Sequence, residues 1–534
     1  MDLSDSKLYA AWQSLLALGH TVLSSYVFTV ILLLLSWRVW KFTVYPILHP
    51  NEPKEFPCWI PVLGHGFPFF HNSSRLLAKA SQYFGNNRDP FTITAFGSTF
   101  CVITEPSHTT EVYKNTQSLS FEEFIVGLMK YLGLSRHTIN AVFHTPLPAD
   151  KAGFANPKGQ PLGHFVRDMH HHQLFPGQNL DLLEEVMVNW FDNHLRLEGL
   201  KVLCAPYDTS INPKAVKVPL AKWCSELFTR AGEMAYFGRT LGEVEPNMAT
   251  TFLEYDDLSW QVLYQYPRVF SSKMHAAMDR IQEIFLRYFE VPRDDRQGDA
   301  WFTKAIEEEC RALDISNKDM ARFMCTVYWV LTRMSVLAPT PAKWPFWLLY
   351  HLLHNPSLIP LIRDETASAF HGATITNLDY LHKRCPTLEN AWFETLRLSS
   401  NSASARVVTE DTVIGSRLVR KGSKILIPYR LLHHNEAVFG AEVERFRPER
   451  FNGRAAALTK GPSWRPFGGG KTMCPGHFIA KRETVMFVAM VLQRFDIELD
   501  GDATVMELDL GKPVLGLADR KEGQDVSVRL TSRI

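Results

Sequence analysis

One cysteine, Cys474, sits at the end of a glycine-rich loop that runs into an apolar stretch: Trp464-Arg465-Pro466-Phe467-Gly468-Gly469-Gly470-Lys471-Thr472-Met473-Cys474-Pro475-Gly476-His477. Three consecutive glycines permit positive φ and let backbone approach something flat and bulky. The apolar pattern predicts a helix over His477 to Leu492, so the sulfur stands at a helix N-terminus. There the dipole and free amide donors are expected to lower a thiol's pKa. Pro475 suits a first turn, where a missing N–H costs nothing, and Gly476 leaves room beside the sulfur. A thiolate so placed is a nucleophile or a metal ligand, and the loop by itself leaves both open.

Two further segments precede it. Glu394-Thr395-Leu396-Arg397 lies in a predicted helix, where a spacing of three puts acid and base on one face. Phe446-Arg447-Pro448-Glu449-Arg450-Phe451 follows. The elements that must position these groups are mostly helical in pattern from Asn72 onward. Leu183 to Leu197 and Ser271 to Phe289 carry apolar residues at helical spacing with charges between them. Phe91 to Ile103 and Lys424 to Ile427 read as short strands, and Leu203 to Val218, with scattered prolines, reads as a loop. Repeats and low-complexity tracts are absent from the sequence.

The N-terminus differs from the rest. No Asp, Glu, Lys or Arg lies between Lys7 and Arg38, and Thr21 to Trp37 is long and apolar enough to cross a bilayer as a helix. Acidic Asp2 and Asp5 and the lack of a small-residue cleavage site argue against a secretory signal. Arg38 and Lys41 follow the run, so the positive-inside rule puts the remainder in the cytosol. Glycosylation of the sequon Asn72-Ser73-Ser74 would contradict that placement. Five prolines, Pro46, Pro50, Pro53, Pro57 and Pro61, predict a stiff non-helical link to the body. A net charge of +1 gives no argument for nucleic acid, and the eight cysteines, without a C-x-x-C pair, suit a reducing compartment.

Taken together, these residues resemble the cytochrome P-450 haem-thiolate monooxygenases. That family's loop F-x-x-G-x-x-x-C-x-G is matched by Phe467, Gly470, Cys474 and Gly476, with E-x-x-R and F-x-P-E-R-F in the family's order before it. The resemblance implies Cys474 as axial ligand to the iron of haem b, held by a loop that includes Phe467, Gly470 and Gly476. It implies a buried network of Glu394, Arg397 and Arg450 bracing that loop, and Arg406 at a haem propionate. The cluster His164, Arg167, His170, His171 and His172 offers a second propionate contact; a metal site there is outweighed by a solvated helix face. The implied fold is mainly α with a small β-sheet region. It divides into a luminal segment (1–20), a transmembrane helix (21–40), a proline-rich link (41–65) and a catalytic domain (66–534).

Two positions depart from the family pattern. Where its central helix carries an acid and a threonine, this chain has Ala338-Pro339-Thr340-Pro341, so Thr340 falls on the threonine position and Pro339 on the acid. Pro339, Pro341 and Pro345 predict a break or kink. Thr472 stands where most members hold a propionate with arginine. Both departures resemble the branch of sterol 7α-hydroxylases, prostacyclin synthase and ascomycete enzymes of secondary metabolism. The expected reaction is hydroxylation of a lipophilic terpenoid or steroid-like intermediate at the endoplasmic reticulum membrane. O2 and electrons from a separate NADPH-dependent flavoprotein reductase would drive it, since the chain has no flavin or nicotinamide motif. The alternatives are a haem-thiolate isomerase or dehydratase needing no external electrons, and a non-catalytic haem-binding relative.

Overall fold

A computed structural model describes residues 12, 25–147, 154–203, 214–334, 339–501, 505–512, 514 and 516–533; of residues 201–203, 330–334 and 339–342 it describes the backbone alone. The chain is mainly helical with small sheets. It divides into two compact units. The first comprises Met1–Asn72, Leu76–Leu119 and Arg406–Ile427; the second comprises Ser73–Arg75, Ser120–Ala405 and Pro428–Ile534.

The first unit opens on an apolar helix, Ser25–Leu48, none of whose hydrophobic window is buried. This helix runs two residues past Pro46, which sequence placed in a non-helical link. The reason is local. Pro46 cannot donate to the carbonyl four residues back, and its ring crowds that turn, so the backbone widens into a π-helical stretch over Trp40–Val44. Tyr45 N–H then closes on the Trp40 carbonyl, and Tyr45–Leu48 resumes as α-helix with Pro46 in its first turn. Arg38 lies 4.1 Å over the Trp59 ring and donates to the Cys58 carbonyl.

The strand pattern of Phe91 to Ile103 becomes a hairpin, Phe91–Ala95 against Ser98–Val102, turned by Phe96 (φ +47°) and Gly97 (φ +75°). Two positive φ values in a two-residue loop match the twist of the flanking strands. Lys54–Glu55 and Lys424–Pro428 add parallel strands at either side.

In the second unit the helix His477–Arg494 is the centre of the core. Its residues Val485 to Leu492 are all buried, as expected of a helix apolar around its whole circumference. The Phe487 ring meets Phe191 at 5.5 Å, Trp223 at 5.5 Å and Phe228 at 5.0 Å. Burying each such side chain contributes about 1.5–3 kcal/mol. An antiparallel sheet orders Phe495–Leu499, Ser527–Ser532 and Ala215–Pro219. Ala215–Pro219 falls in the segment read as loop. Its Ala-Val-Lys-Val alternation is too short to stand out, and pairing with a strand some 300 residues later (527 − 215 = 312) is what makes it a strand.

The central prolines are accommodated similarly. Helices Asn317–Met334 and Pro339–Leu353 flank residues 335–338, which lie outside the described residues. Pro339 and Pro341 occupy the first turn of the second helix, where N–H groups have no intrahelical acceptor, and Pro345 lies inside it.

Buried charge is mostly paired. Arg296 holds Glu307 through two bonds of 2.6 and 3.1 Å. Glu309 is fully buried, and neither carboxylate oxygen has a protein hydrogen-bond partner. Burial, with Glu308 adding, pushes its carboxyl up to about 7. An unfolded glutamate titrates near 4.3. Folding therefore takes up a proton between about pH 4.3 and 7, and stability falls as pH rises through that window. Glu309→Gln should be more stable than the parent by about 1–3 kcal/mol at pH 8, with the difference closing by pH 4.5. Thermal melts of both proteins across that range provide the check.

Candidate functional site

The acid–arginine pair rides on the helix Pro386–Ser399. Pro386 suits the first turn, and the Glu365 carboxylate caps it by accepting from Thr387 N at 3.0 Å and Leu388 N at 2.7 Å. Glu394 and Arg397, three residues apart, are both without exposure. Arg397 grips Glu394 in a fork, Nε to Oε2 and Nη2 to Oε1, both 2.8 Å. The Glu394 Oε1 also accepts from Arg450 Nε at 3.2 Å and from the Arg447 backbone N–H at 2.9 Å. Arg450 spends its remaining donors on the carbonyls of Phe439, Ala441 and Glu442. One carboxylate between two guanidiniums leaves an excess positive charge, and those carbonyl dipoles spread it.

This cluster reaches the cysteine loop through His433. The His433 carbonyl accepts from Arg397 Nη1 at 3.2 Å, and its ring Nε2 accepts from the Arg465 backbone N–H at 2.9 Å. Trp464 packs between rings of the same elements, 5.8 Å from Phe393, 5.7 Å from Phe451 and 5.6 Å from His433. Beyond it the loop turns at Gly468 (φ +76°) and Gly470 (φ +61°), a conformation that disfavours any Cβ. A Cβ at Gly468 would stand 3.3 Å from the Tyr429 hydroxyl. The Cys474 N–H closes the loop on the Phe467 carbonyl at 2.9 Å, and the Thr472 hydroxyl donates to the Gly469 carbonyl at 3.1 Å. The His477 ring Nδ1 is 2.8 Å from the Cys474 carbonyl. Phe467 rests 5.8 Å from Trp344 and 6.0 Å from His477.

Two expectations about the cysteine need correction. The helix begins at His477 with Gly476 as its N-cap, so Pro475 precedes the helix instead of occupying its first turn. The Cys474 thiol is not lowered: burial pushes it up to about 12, against a smaller opposing pull from a Gly476 backbone hydrogen bond. Desolvation at 4% exposure outweighs one amide donor and a helix end two residues away. The thiol is therefore neutral by itself, and a thiolate here requires a cation to take the proton's place.

Every described cysteine is a free thiol, and no group of three or more His, Cys, Asp or Glu able to hold a metal occurs among the described residues. A lone sulfur suits a metal that brings its own remaining ligands, and the φ-positive glycines leave the loop without side-chain bulk beside it. The site's donor set thus fits a haem.

The other expected residues are placed as follows. Arg406 is in the first unit, buried, 5.5 Å over the Tyr113 ring. Thr340 is in the first turn of Pro339–Leu353, but its side chain, like residues 336–338, lies outside the described residues. On the helix Leu162–Leu174, His164 pairs with Glu122 at 3.0 Å and Arg167 with Asp168 at 3.1 Å. His170 and His171 lie at a tilt against Phe302 and Phe175, and His172 meets Trp301 edge-on.

Sequence reasoning missed His433, which lies outside every motif, and a half-buried ion pair. Lys343, three residues after Thr340, meets Asp519 at 3.1 Å. Near it the Asp257 carboxyl is pushed up to about 6 by burial, with Asp256 and Asp519 adding to the rise.

Removing one member of the Glu394 cluster strands the others in an environment that cannot solvate them. Glu394→Gln should cost about 3–5 kcal/mol, and Arg450→Leu added to it should cost much less than its single-variant loss. Urea unfolding of the single and double variants measures both.

Cytochrome P450 matches this chain over residues 340–521, the span that holds the acid–arginine helix, His433 and the cysteine loop. The cytochrome P450 monooxygenase poxD of Penicillium oxalicum is 26% identical over 479 residues, covering 86% of this chain and 89% of its own length. The cytochrome P450 monooxygenase nodJ of Hypoxylon pulicicidum is 23% identical over 520 residues, covering 90% and 92%. Cytochrome P450 7B1 of Mus musculus is 24% identical over 483 residues, covering 84% and 85%. With a braced loop presenting one buried sulfur, residues 340–521 match the cytochrome P450 family, and the chain is similar to cytochrome P450 monooxygenases over most of its length.

Proposed function

We propose that this chain is a haem-thiolate monooxygenase in which the Cys474 sulfur is the axial ligand of haem b. The observation that carries the reading is a buried lone thiol in a φ-positive glycine loop, tied by hydrogen bonds to a saturated charge cluster. When bound, the haem supplies the dioxygen chemistry, with thiolate donation favouring O–O cleavage. The chain's own part is to hold the sulfur. Glu394, Arg397 and Arg450 fix the segments on which the loop stands, while Phe467, Gly470 and Gly476 shape it. Burial of Cys474 excludes water from the sulfur, and the Gly476 N–H stabilises it once the proton has left.

The substrate in this reading is a lipophilic terpenoid or steroid-like intermediate of secondary metabolism. Its support is the helix Ser25–Leu48, which would anchor the protein in the endoplasmic reticulum membrane where apolar molecules concentrate. Arg38 and Lys41 near the end of the apolar run support a catalytic body on the cytosolic side. A separate NADPH-dependent reductase would supply electrons.

A second reading, rearrangement of an already oxygenated substrate, is favoured by Pro339, which removes the acid that usually assists oxygen cleavage. It leaves Thr340 as the hydroxyl group at that turn.

Microsomes holding the chain, with and without reductase, should be offered steroid and terpenoid panels under ¹⁸O₂. The monooxygenase reading predicts a product heavier by one labelled oxygen that forms only with reductase and NADPH. An unlabelled product formed equally without reductase would establish rearrangement instead.

A further inference from the structure

Among the buried polar groups that the proposed chemistry does not use, His433 stands apart. It belongs to none of the sequence motifs, has no exposed surface, and bonds in two directions at once. Its main-chain carbonyl accepts from Arg397, the arginine forked onto Glu394. Its ring Nε2 accepts the backbone N–H of Arg465, the second residue of the cysteine loop. We infer that His433 is a positioning residue for the cysteine ligand, transmitting the geometry of the Glu394 cluster to the loop through an unprotonated ring nitrogen.

The bond to Arg465 fixes the tautomer, because an amide N–H can donate only to a ring nitrogen that carries no proton. The proton then sits on Nδ1, which has no protein partner. Ring neutrality has a second source. Burial first, then the charges of His434, Arg397, Arg430 and Arg465, push the imidazole well below its ordinary range. An imidazolium would offer Arg465 a donor facing a donor, so the surroundings that forbid protonation also preserve the acceptor. The Trp464 ring, 5.6 Å away, leaves the imidazole little freedom to turn.

Arg465 is the point of attachment that matters for the sulfur. Gly468 N–H bonds the Arg465 carbonyl at 3.1 Å, so the turn that starts the glycine run is built directly on this residue. Cys474 stands nine positions after Arg465 (474 − 465 = 9), and the Cys474 N–H returns to the Phe467 carbonyl, only two positions past Arg465. A shift of the Arg465 amide is therefore carried into the loop's closing bond.

Side-chain substitution separates the two halves of His433, since the carbonyl that receives Arg397 stays in place. Glutamine can set its amide oxygen where Nε2 lies, while asparagine reaches only as far as Nδ1. The two variants have similar polarity and differ in whether an acceptor meets the Arg465 N–H. The inference rests on Cys474 being the haem ligand, and the parent protein tests that separately. In the full-length haem-loaded protein, hydrogen exchange over residues 464–474 should be near parental in His433→Gln. It should be faster by ~10-fold in His433→Asn, the factor expected for loss of one buried hydrogen bond.

The carbon-monoxide complex of the reduced protein should keep its red-shifted thiolate band in His433→Gln. In His433→Asn part of the population should move to the blue-shifted band of a thiol or displaced ligand. Equal exchange and equal spectra in the two variants, with the parent showing the red-shifted band, would overturn the inference and leave the ligand assignment standing. A parent without that band would overturn the ligand assignment and this inference with it.

Discussion

The Glu394 carboxylate, fully buried, accepts four hydrogen bonds: two from Arg397, one from Arg450 and one from the Arg447 main chain. Taking three charges out of water costs several kcal/mol per ion, and attraction repays that only where every donor finds an acceptor. Here the donors that do not meet Glu394 meet carbonyls of Phe439, Ala441, Glu442 and His433. Those carbonyls lie at the end of the short helix Tyr429–His433, at the end of the one-turn helix Glu436–Phe439 and in the chain just after it. The cluster therefore does more than balance charge, since it ties these short helical turns and the chain after them to one buried carboxylate. A hydrophobic replacement would pack equally well, yet it would leave those carbonyls unpaired.

From that fixed frame the chemistry of the sulfur follows. Cys474 is deep enough that its thiol is pushed up to about 12, so the fold does not hold a bare thiolate. A cation that displaces the proton gains a buried, preformed sulfur, and its binding is tied to proton release. Burial that penalises the charged ligand in the free chain is the same burial that excludes water from the sulfur once a metal compensates the charge. Loop rigidity and ligand basicity are thus two results of one placement.

How far sequence reaches can be judged residue by residue. Helical periodicity puts Glu394 and Arg397 on one face, whereas Arg450 could be joined to them only through the family resemblance of its motif. The glycine loop could be read because positive φ at Gly468 and Gly470 is a backbone demand that glycine meets best. His433 could not, since its role depends on an amide 32 residues downstream (465 − 433 = 32) and nothing in its neighbours points there. The direction of the Cys474 thiol shift was misread for the same reason: a helix N-terminus is visible in sequence, whereas desolvation is set by distant packing. Pro46 and Ala215–Pro219 repeat the lesson on the backbone, one absorbed by a π-turn and the other made a strand by its partner Ser527–Ser532.

Everything proposed for this chain turns on whether Cys474 ligates the iron, and the carbon-monoxide difference spectrum of the reduced full-length protein decides it. A red-shifted Soret band in the parent, lost in a Cys474→Ala variant that still melts cooperatively, is the predicted result. A blue-shifted band in well-folded parent protein, or a red-shifted band that survives in Cys474→Ala, would contradict it.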